Sequence, residues 1–157
     1  MKIIIDSREK PQAIKKILEI FQLKGIEFKY PQKLDVGDYF NPDSPKVIID
    51  RKQSLNEVCQ NLYVDRPRFF RELQRALKQH IKLIVLVESG GGIKRLQDVS
   101  NWINPNHNGS KLFMSGRELM DRMYAAQISF GIEWRFCDKK DTGLKIIEIL
   151  GGNNEKQ

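Results

Sequence analysis

The sequence is poor in the residues that build zinc sites and disulfide frameworks. Its 157 residues include two cysteines and two histidines, and neither Cys59 nor Cys137 stands in a CxxC or Cys/His cluster. The spacing therefore does not indicate a zinc site, and two thiols without a framework are typical of a reducing compartment. We interpret both cysteines as core or surface thiols rather than as catalytic groups.

Long apolar runs are also absent. No stretch of the sequence approaches the ~18 residues that a membrane-spanning helix needs. The first residues, MKIIIDSREK, become charged after a short apolar run, which is not the pattern of a signal peptide. We therefore expect no membrane association and an intracellular protein, in the cytoplasm of a prokaryotic or phage-infected host.

Positive charge is in surplus. The chain has 27 lysines and arginines against 20 acidic residues, which gives a formal net charge of +7. A surplus of this size predicts attraction to polyanions, with nucleic acid ahead of membrane. The length and the apolar content of 40% predict one globular domain with a real core.

Apolar patterns along the chain alternate between strands and helices. Short β-branched or apolar runs such as KIIID and KLIVLVE predict buried strands, and helical periodicity recurs between them. An early group of strands, in IEFKY, DVGDYF and KVIIDRK, interrupts this alternation. We predict one α/β domain over residues 1–152, with a mixed β-sheet flanked by helices, and a frayed tail over 153–157.

Residues 37–52, GDYFNPDSPKVIIDRK, place two aspartates on either side of a turn. If the turn centres near Ser44, Asp38 and Asp50 lie opposite each other on paired strands, with Cβ atoms about 5 Å apart. Side chains alternate along a strand, so Lys52 shares a face with Asp50 and Arg51 points to the other face. Solvated charge at the ends of a hairpin is the simple alternative.

Two carboxylates at this distance repel each other unless a proton or a cation lies between them. A hard divalent ion resolves the conflict, and a neighbouring ammonium can orient water or neutralise a phosphate. Two carboxylates, a lysine and a metal ion supply what phosphodiester hydrolysis needs. The Asp-x-Lys pattern alone is weak evidence, because many hairpins carry it by chance.

The helix predicted in DRPRFFRELQRALKQ carries a stripe of positive charge. Its basic residues recur at i, i+3, i+7 and i+10, and they are Arg68, Arg71, Arg75 and Lys78. A solvated helix face would explain the stripe without any ligand. Because the net charge is positive and the aspartate pair is near in sequence, we favour contact with DNA phosphates.

Several short motifs, taken together and in their order, resemble the nuclease domain of the XPF/Hef-type structure-specific endonucleases. They are DSREK (6–10), VGDY (36–39), IDRKQSLNE (49–57), RFFRELQRA (68–76) and LIVLVE (83–88). That family has the hallmark GD…ERK…D and belongs to the restriction-endonuclease-like, PD-(D/E)XK superfamily. The resemblance is good over residues 2–90 and rests on element order in the remainder. It implies a restriction-endonuclease-like fold.

The resemblance also implies roles for the hairpin residues. Asp38 and Asp50 would act in catalysis as ligands of a divalent metal, Mg²⁺ or Mn²⁺, and Lys52 would be the catalytic lysine. Arg51 holds the position of the hallmark arginine, which supports structure or DNA binding.

The end of the first strand is implied to line the same site. Asp6 would be a further metal ligand, Glu9 a catalytic group and Arg8 a DNA contact. The chain departs from the family pattern twice: the glutamate of ERK is Asp50 here, and the aspartate after ERK falls on Asn56. Asn56 cannot supply a charge, so activity is expected to be reduced or to lean on Glu9.

We therefore expect a divalent-metal-dependent DNA endonuclease that hydrolyses phosphodiester bonds. Branched or flap-like DNA, with single-strand/double-strand junctions, in repair, recombination or replication is implied by the resemblance alone. A non-catalytic DNA-binding or partner module that retains the nuclease fold is the alternative, and a restriction-type or resolvase nuclease is a third reading. The intact set of two acids and a lysine favours the enzyme.

Related nuclease domains pair through their C-terminal helices and strand, which correspond here to residues 116–150. The helix in this region carries a wide apolar arc, formed by Leu119, Met120, Met123, Tyr124 and Ala126. Core packing would explain the arc, and so would a symmetric homodimer. Of the two we favour the homodimer.

Overall fold

The computed structural model of the chain describes residues 1–106, 109 and 113–152. The frayed tail expected at 153–157 lies outside the described residues. The strands are β1 (Lys2–Asp6), β2 (Glu27–Gln32), β3 (Tyr39–Phe40), β4 (Val47–Lys52), β5 (Lys82–Glu88) and β6 (Glu133–Cys137). The helices are α1 (Lys15–Leu23), α2 (Leu55–Leu62), α3 (Arg66–Lys78), α4 (Gly116–Phe130) and α5 (Thr142–Gly152), with short 3-10 helices at Leu96–Asn101 and Lys139–Asp141.

The strands form one mixed sheet in the order β2-β1-β3-β4-β5-β6. β3 runs antiparallel to both of its neighbours, β1 and β4. The other pairs are parallel: β1 with β2, β4 with β5, and β5 with β6. The predicted mixed sheet flanked by helices is therefore confirmed. The short antiparallel β3 is the interruption that the early group of strands indicated.

The two faces of the sheet bury separate cores. Helices α2, α3 and α4 cover one face, and α1 and α5 cover the other. Alternation along β5 shows the division: Leu83, Val85 and Val87 pack on the first face, and Ile84 and Leu86 pack on the second. This continuous apolar strand is buried on both faces because helices lie on both sides of it.

Most of the apolar arc on α4 packs inside the chain. Leu119, Met123 and Ala126 are buried, and Met120 and Tyr124 are half-buried against the same core. Core packing therefore accounts for a larger part of the arc than the sequence suggested. No helix in the described ranges is long and apolar enough to cross a membrane.

Candidate functional site

The turn between β3 and β4 has the register that the sequence predicted. Tyr39 pairs with Ile49 and Phe40 with Ile48, so the turn centres at position 44. Ile48 packs on the α2–α3 face and Ile49 on the opposite face, which fixes the alternation along β4. The prediction that Asp50 and Lys52 share a face, with Arg51 on the other, is thereby confirmed.

Gly37 allows the backbone to approach β4 immediately before Asp38. Its φ of +67° lies in the left-handed region, and a Cβ placed there would collide with Ile48 and come within 3.0 Å of the Ile49 carbonyl oxygen. The residue after Gly37 is hydrogen-bonded to β4 twice: Asp38 N donates to Ile49 O at 2.7 Å, and Arg51 N donates to Asp38 Oδ2 at 2.8 Å. The glycine therefore positions the first acidic side chain.

Asp38 and Asp50 meet at close range in a buried setting. Burial, followed by repulsion from Asp50 and Glu9, raises the pKa of Asp38 well above its usual range, although the Arg51 N–H opposes this. Asp50 is 4% exposed, and its Oδ2 accepts no hydrogen bond from the described residues, although it is ion-paired with the Lys52 ammonium at 3.3 Å. The two carboxylates therefore need a shared proton or a bound cation to offset their repulsion.

Lys52 provides the positive charge beside this pair. Its Nζ lies 3.3 Å from Asp50 Oδ2 and 4.9 Å from the centre of the Phe69 ring. Burial opposes the charged form of Lys52, but nearby carboxylates, with Asp50 first and Glu57 second, outweigh it and raise its pKa. The lysine is therefore a fixed ammonium at the edge of the acidic pair.

Glu72 on α3 is a site residue that sequence reasoning missed. Its carboxyl group lies against Asp50, and burial together with repulsion from Asp50 raises its pKa to about 7, although Lys52 acts in the opposite direction. The available signal was its place three residues after the buried Phe69, on the flank of the helix that carries the arginines. The sequence does not show that α3 packs beside Lys52, so from the sequence alone the position of Glu72 resembles solvated surface.

Asp6 has a different role from the one expected. Its Oδ1 accepts from Leu34 N at 2.8 Å, and its Oδ2 accepts from Arg8 Nε at 2.6 Å. Asp6 is fully buried and does not line the cavity described below. We therefore leave Asp6 out of the proposed metal ligands, because both oxygens already hold the loop after β2 and the guanidinium of Arg8.

Arg51 is likewise not placed for DNA. Its side chain is buried, with Nε and Nη2 2.7 and 2.8 Å from the two oxygens of Glu9, and Nη1 2.8 Å from Glu88 Oε1. Glu88 in turn accepts from Thr142 Oγ1 at 2.6 Å, at the start of α5. Through these hydrogen bonds, Arg51 of β4 connects β5 with the segment after β1. Both carboxylate oxygens of Glu9, the expected catalytic group, accept hydrogen bonds from Arg51.

A cavity of about 430 Å³ opens over the acidic pair. Its lining residues include Asp38, Asp50, Lys52 and Arg8 and, from α3, Arg68, Arg71 and Arg75. Arg75 is anchored by hydrogen bonds to the Asp35 carbonyl, whereas Lys78 is exposed further along α3 and does not line the cavity. Three of the four stripe residues therefore lie at the site.

The α2 side of the cavity clarifies the departure at Asn56. Asn56 lines a neighbouring groove instead of the cavity and accepts from Asn106 at 3.4 Å. Glu57, by contrast, lines the cavity, and its Oε2 accepts from Gln53 N at 2.6 Å. A carboxylate is thus present beside Lys52 although the family position carries an amide.

The acidic pair fits a divalent ion only in part. Among the described residues, no group of three or more His, Cys, Asp or Glu side chains forms a ready metal site. Asp38 and Asp50 supply two carboxylates in contact, one with an oxygen that lacks a donor. This fits an ion such as Mg²⁺, which keeps several waters and takes one or two carboxylates plus substrate phosphates.

Comparison with solved structures finds the same fold in XPF from Aeropyrum pernix. The similarity has a TM-score of 0.69 at 22% identity and covers 99% of this chain and 66% of that chain. XPF from Aeropyrum pernix in a complex with DNA matches with a TM-score of 0.66 at 19% identity and the same coverage. The chain therefore spans just under two thirds of the length of these structures, and the likeness shows the fold.

Sequence comparison identifies the family. No curated protein matches the chain. A family model described as the ERCC4 domain matches residues 5–150, which is nearly the whole chain. The chain therefore belongs to the ERCC4 domain family.

Proposed function

We propose that this chain is a divalent-metal-dependent DNA endonuclease. The observation that carries the proposal is that Asp38 and Asp50 line one cavity whose wall also carries Lys52 and arginines of α3. The neighbouring departure at Asn56 does not argue for a non-catalytic module, because that side chain lines another groove. Asp38, Asp50 and Lys52 all line the cavity, which supports the proposal.

Asp38 and Asp50 would hold a Mg²⁺ or Mn²⁺ ion. When bound, such an ion polarises the phosphate and lowers the pKa of a bound water. Lys52 stabilises the charge that develops on the phosphate, because its ammonium is fixed 3.3 Å from Asp50 and faces the cavity. Arg68 and Arg71 bind flanking phosphates and orient the strand over the acidic pair.

The substrate we propose is branched or flap-like DNA in repair, recombination or replication. The similarity to the XPF nuclease fold supports this choice, and the solved complex shows that the Aeropyrum pernix protein binds DNA. Three of the cavity's arginines, Arg68, Arg71 and Arg75, come from α3, which suits a backbone that runs along this helix. Residues 116–150 are the proposed surface of a homodimer.

Cleavage assays test the proposal. Labelled flap, fork, four-way junction and linear duplex DNA are incubated with and without Mn²⁺ and with Asp38→Asn, Asp50→Asn, Lys52→Met and the control Lys15→Met on α1. We expect each of the three site variants to abolish cleavage while the DNA dissociation constant changes little. Near-normal cleavage by any of them contradicts the site, and binding without cleavage by the wild type under every metal favours the non-catalytic module.

The salt dependence of binding tests the arginines. Arg68→Ala with Arg71→Ala should lower the slope of log affinity against log salt by about 1.8 on duplex DNA, because each lost phosphate contact removes about 0.9. Lys15→Ala with Lys16→Ala is the charge-matched control, since both lysines are exposed on α1, on the opposite face of the sheet. An equal slope change in both double variants means that net charge, and not this stripe, binds DNA.

A further inference from the structure

A second groove adjoins the cavity and has a different chemistry. Its volume is about 440 Å³, and it is lined by Gln53, Ser54, Asn56, Glu57, Gln60 and Asn106. Gln53 and Glu57 line the cavity as well, so the two spaces adjoin each other. We refer to these six residues as the amide groove, because four of them carry carboxamides.

The amide groove carries fewer positive charges than the cavity, among the described residues. In the ranges 1–106, 109 and 113–152, no lysine or arginine lines it, and its charged group is the carboxylate of Glu57. The opposite wall of the cavity carries Arg68, Arg71 and Arg75. A DNA backbone is therefore attracted more strongly to the arginines on the α3 side, which leaves the amide groove to the uncharged parts of the nucleotide.

The carboxamides match the hydrogen bonding of base edges. Each presents a donor and an acceptor in a fixed fork, as in the bidentate contact of Asn or Gln with adenine. Gln53 and Gln60 are exposed, and Asn56 and Asn106 approach each other at 3.4 Å, which is long for a strong bond.

Asn61, one residue further along α2, places a further carboxamide at the cavity, outside the six residues of the amide groove. It lines the cavity, and its Oδ1 is buried without a hydrogen-bond donor among the described residues. A buried acceptor without a donor is costly unless a ligand or water supplies one. Exocyclic amino groups of bases are donors of this kind.

We propose that the amide groove binds the edges of DNA bases beside the cleaved phosphate and thereby gives this protein a base preference. The proposal rests on the proposed function, because it needs DNA in the cavity. It assigns phosphate contacts to α3 and base contacts to α2. The strand then has a defined orientation over Asp38 and Asp50.

Equilibrium selection from a DNA pool tests the proposal without cleavage. The pool keeps a fixed flap frame and carries randomised bases on both sides of the junction, and binding is measured in EDTA. We expect the wild type to enrich particular bases at a few positions, by roughly 5- to 150-fold for each bidentate contact. Asn56→Leu with Gln60→Leu should reduce the enrichment to near one, whereas the salt slope stays unchanged.

Two further variants control for misfolding and for the general effect of replacing a surface glutamine by leucine. Gln60→Leu alone changes an exposed side chain and should lower the enrichment at one position without affecting folding. Gln22→Leu is the matched control, because this glutamine is exposed on α1, on the other face of the sheet. It should leave the enrichment as in the wild type.

The outcomes separate this proposal from the proposed function. If the wild type enriches no base, or if the enrichment survives in the double variant, the proposal of base binding by the amide groove is wrong. The proposed endonuclease activity is unaffected by either result. A preference with no cleavage in Mn²⁺ supports the groove and overturns catalysis. Absence of any DNA binding overturns both.

Discussion

Individual carboxylates in this structure are divided between support and chemistry. Glu9 and Glu88 share the guanidinium of Arg51 through short hydrogen bonds, so both carboxylates are held in place by one buried cation. Asp38 and Asp50 face each other, with one lysine beside them. Buried like charges destabilise the folded chain, which is the expected cost of a site prepared for a cation.

Glu72 makes this cost measurable. Its pKa rises from an ordinary 4.5 to about 7, so the folded state holds a proton that the unfolded state releases. The free energy of unfolding without metal should therefore fall as the pH rises from about 4.5 to 7, by on the order of 1–3 kcal/mol from this group. Glu72→Gln should flatten this part of the curve, which urea denaturation in EDTA at pH 5 and pH 8 measures.

Glu19→Gln is the control for that measurement. Glu19 is exposed on α1 and far from the acidic pair, so its removal should leave the pH dependence intact. Addition of Mg²⁺ or Mn²⁺ at pH 8 should raise the free energy of unfolding of the wild-type protein, because a bound cation stabilises the deprotonated acids. Identical curves for the wild type and Glu72→Gln would show that the glutamate is solvated.

At the scale of elements, the turn into β3 decides where the first acid stands. The penalty for a side chain at Gly37 has two parts: the left-handed φ, and the collision with Ile48 and the Ile49 carbonyl. We expect Gly37→Ala to destabilise the fold by about 2 kcal/mol or more and to lower metal affinity, because Asp38 follows directly. Urea denaturation and calorimetric titration with Mn²⁺ measure the two effects.

Gly25 separates the two parts of that penalty. Its φ is +69°, almost the same as at Gly37, but a Cβ there would meet nothing within 4 Å. Gly25→Ala should therefore cost about 1–2 kcal/mol and leave metal affinity unchanged. If Gly37→Ala and Gly25→Ala lose equal stability, the backbone at Gly37 does not approach β4 as closely as the structure shows.

Local pattern predicted most elements, and contacts between distant elements explain what it missed. KLIVLVE and KVIIDRK signalled β5 and β4 through their own composition, and the turn residues fixed the register at position 44. DVGDYF yielded only Tyr39–Phe40 as a strand, because Gly37 turns the backbone. The hydrogen bonds of Asp6 with Leu34 and of Arg51 with Glu88, and the nearness of Glu72 to Asp50, join residues at least 22 positions apart, so local pattern could not predict them.

At the scale of the whole molecule, the site sits where the two cores meet. Asp50 and Lys52 face the α2–α3 side, while Arg51 reaches through β4 to the other side and connects, through Glu88, to Thr142 at the start of α5. The C-terminal segment is thereby joined to the site by buried hydrogen bonds. A partner bound at residues 116–150 would act on the same segment.

The final prediction concerns that partner. Met120 and Tyr124 are half-buried and Ile128 is 81% exposed, and these residues recur every four positions on one side of α4. β6 beside them is the last strand of the sheet described here, so a second copy of the chain could cover both the helix side and the strand edge. Sedimentation equilibrium at micromolar concentration should give twice the chain mass of 18.3 kDa.

Ile128→Glu should shift that mass toward the monomer, because a charge would be buried in the interface. Leu23→Glu is the matched control: Leu23 is 78% exposed at the end of α1, on the opposite face of the sheet, and its replacement should leave the dimer intact. A wild-type mass of one chain, unchanged when flap DNA is added, would contradict the dimer. The acidic pair and the α3 arginines would then have to grip DNA from a single copy.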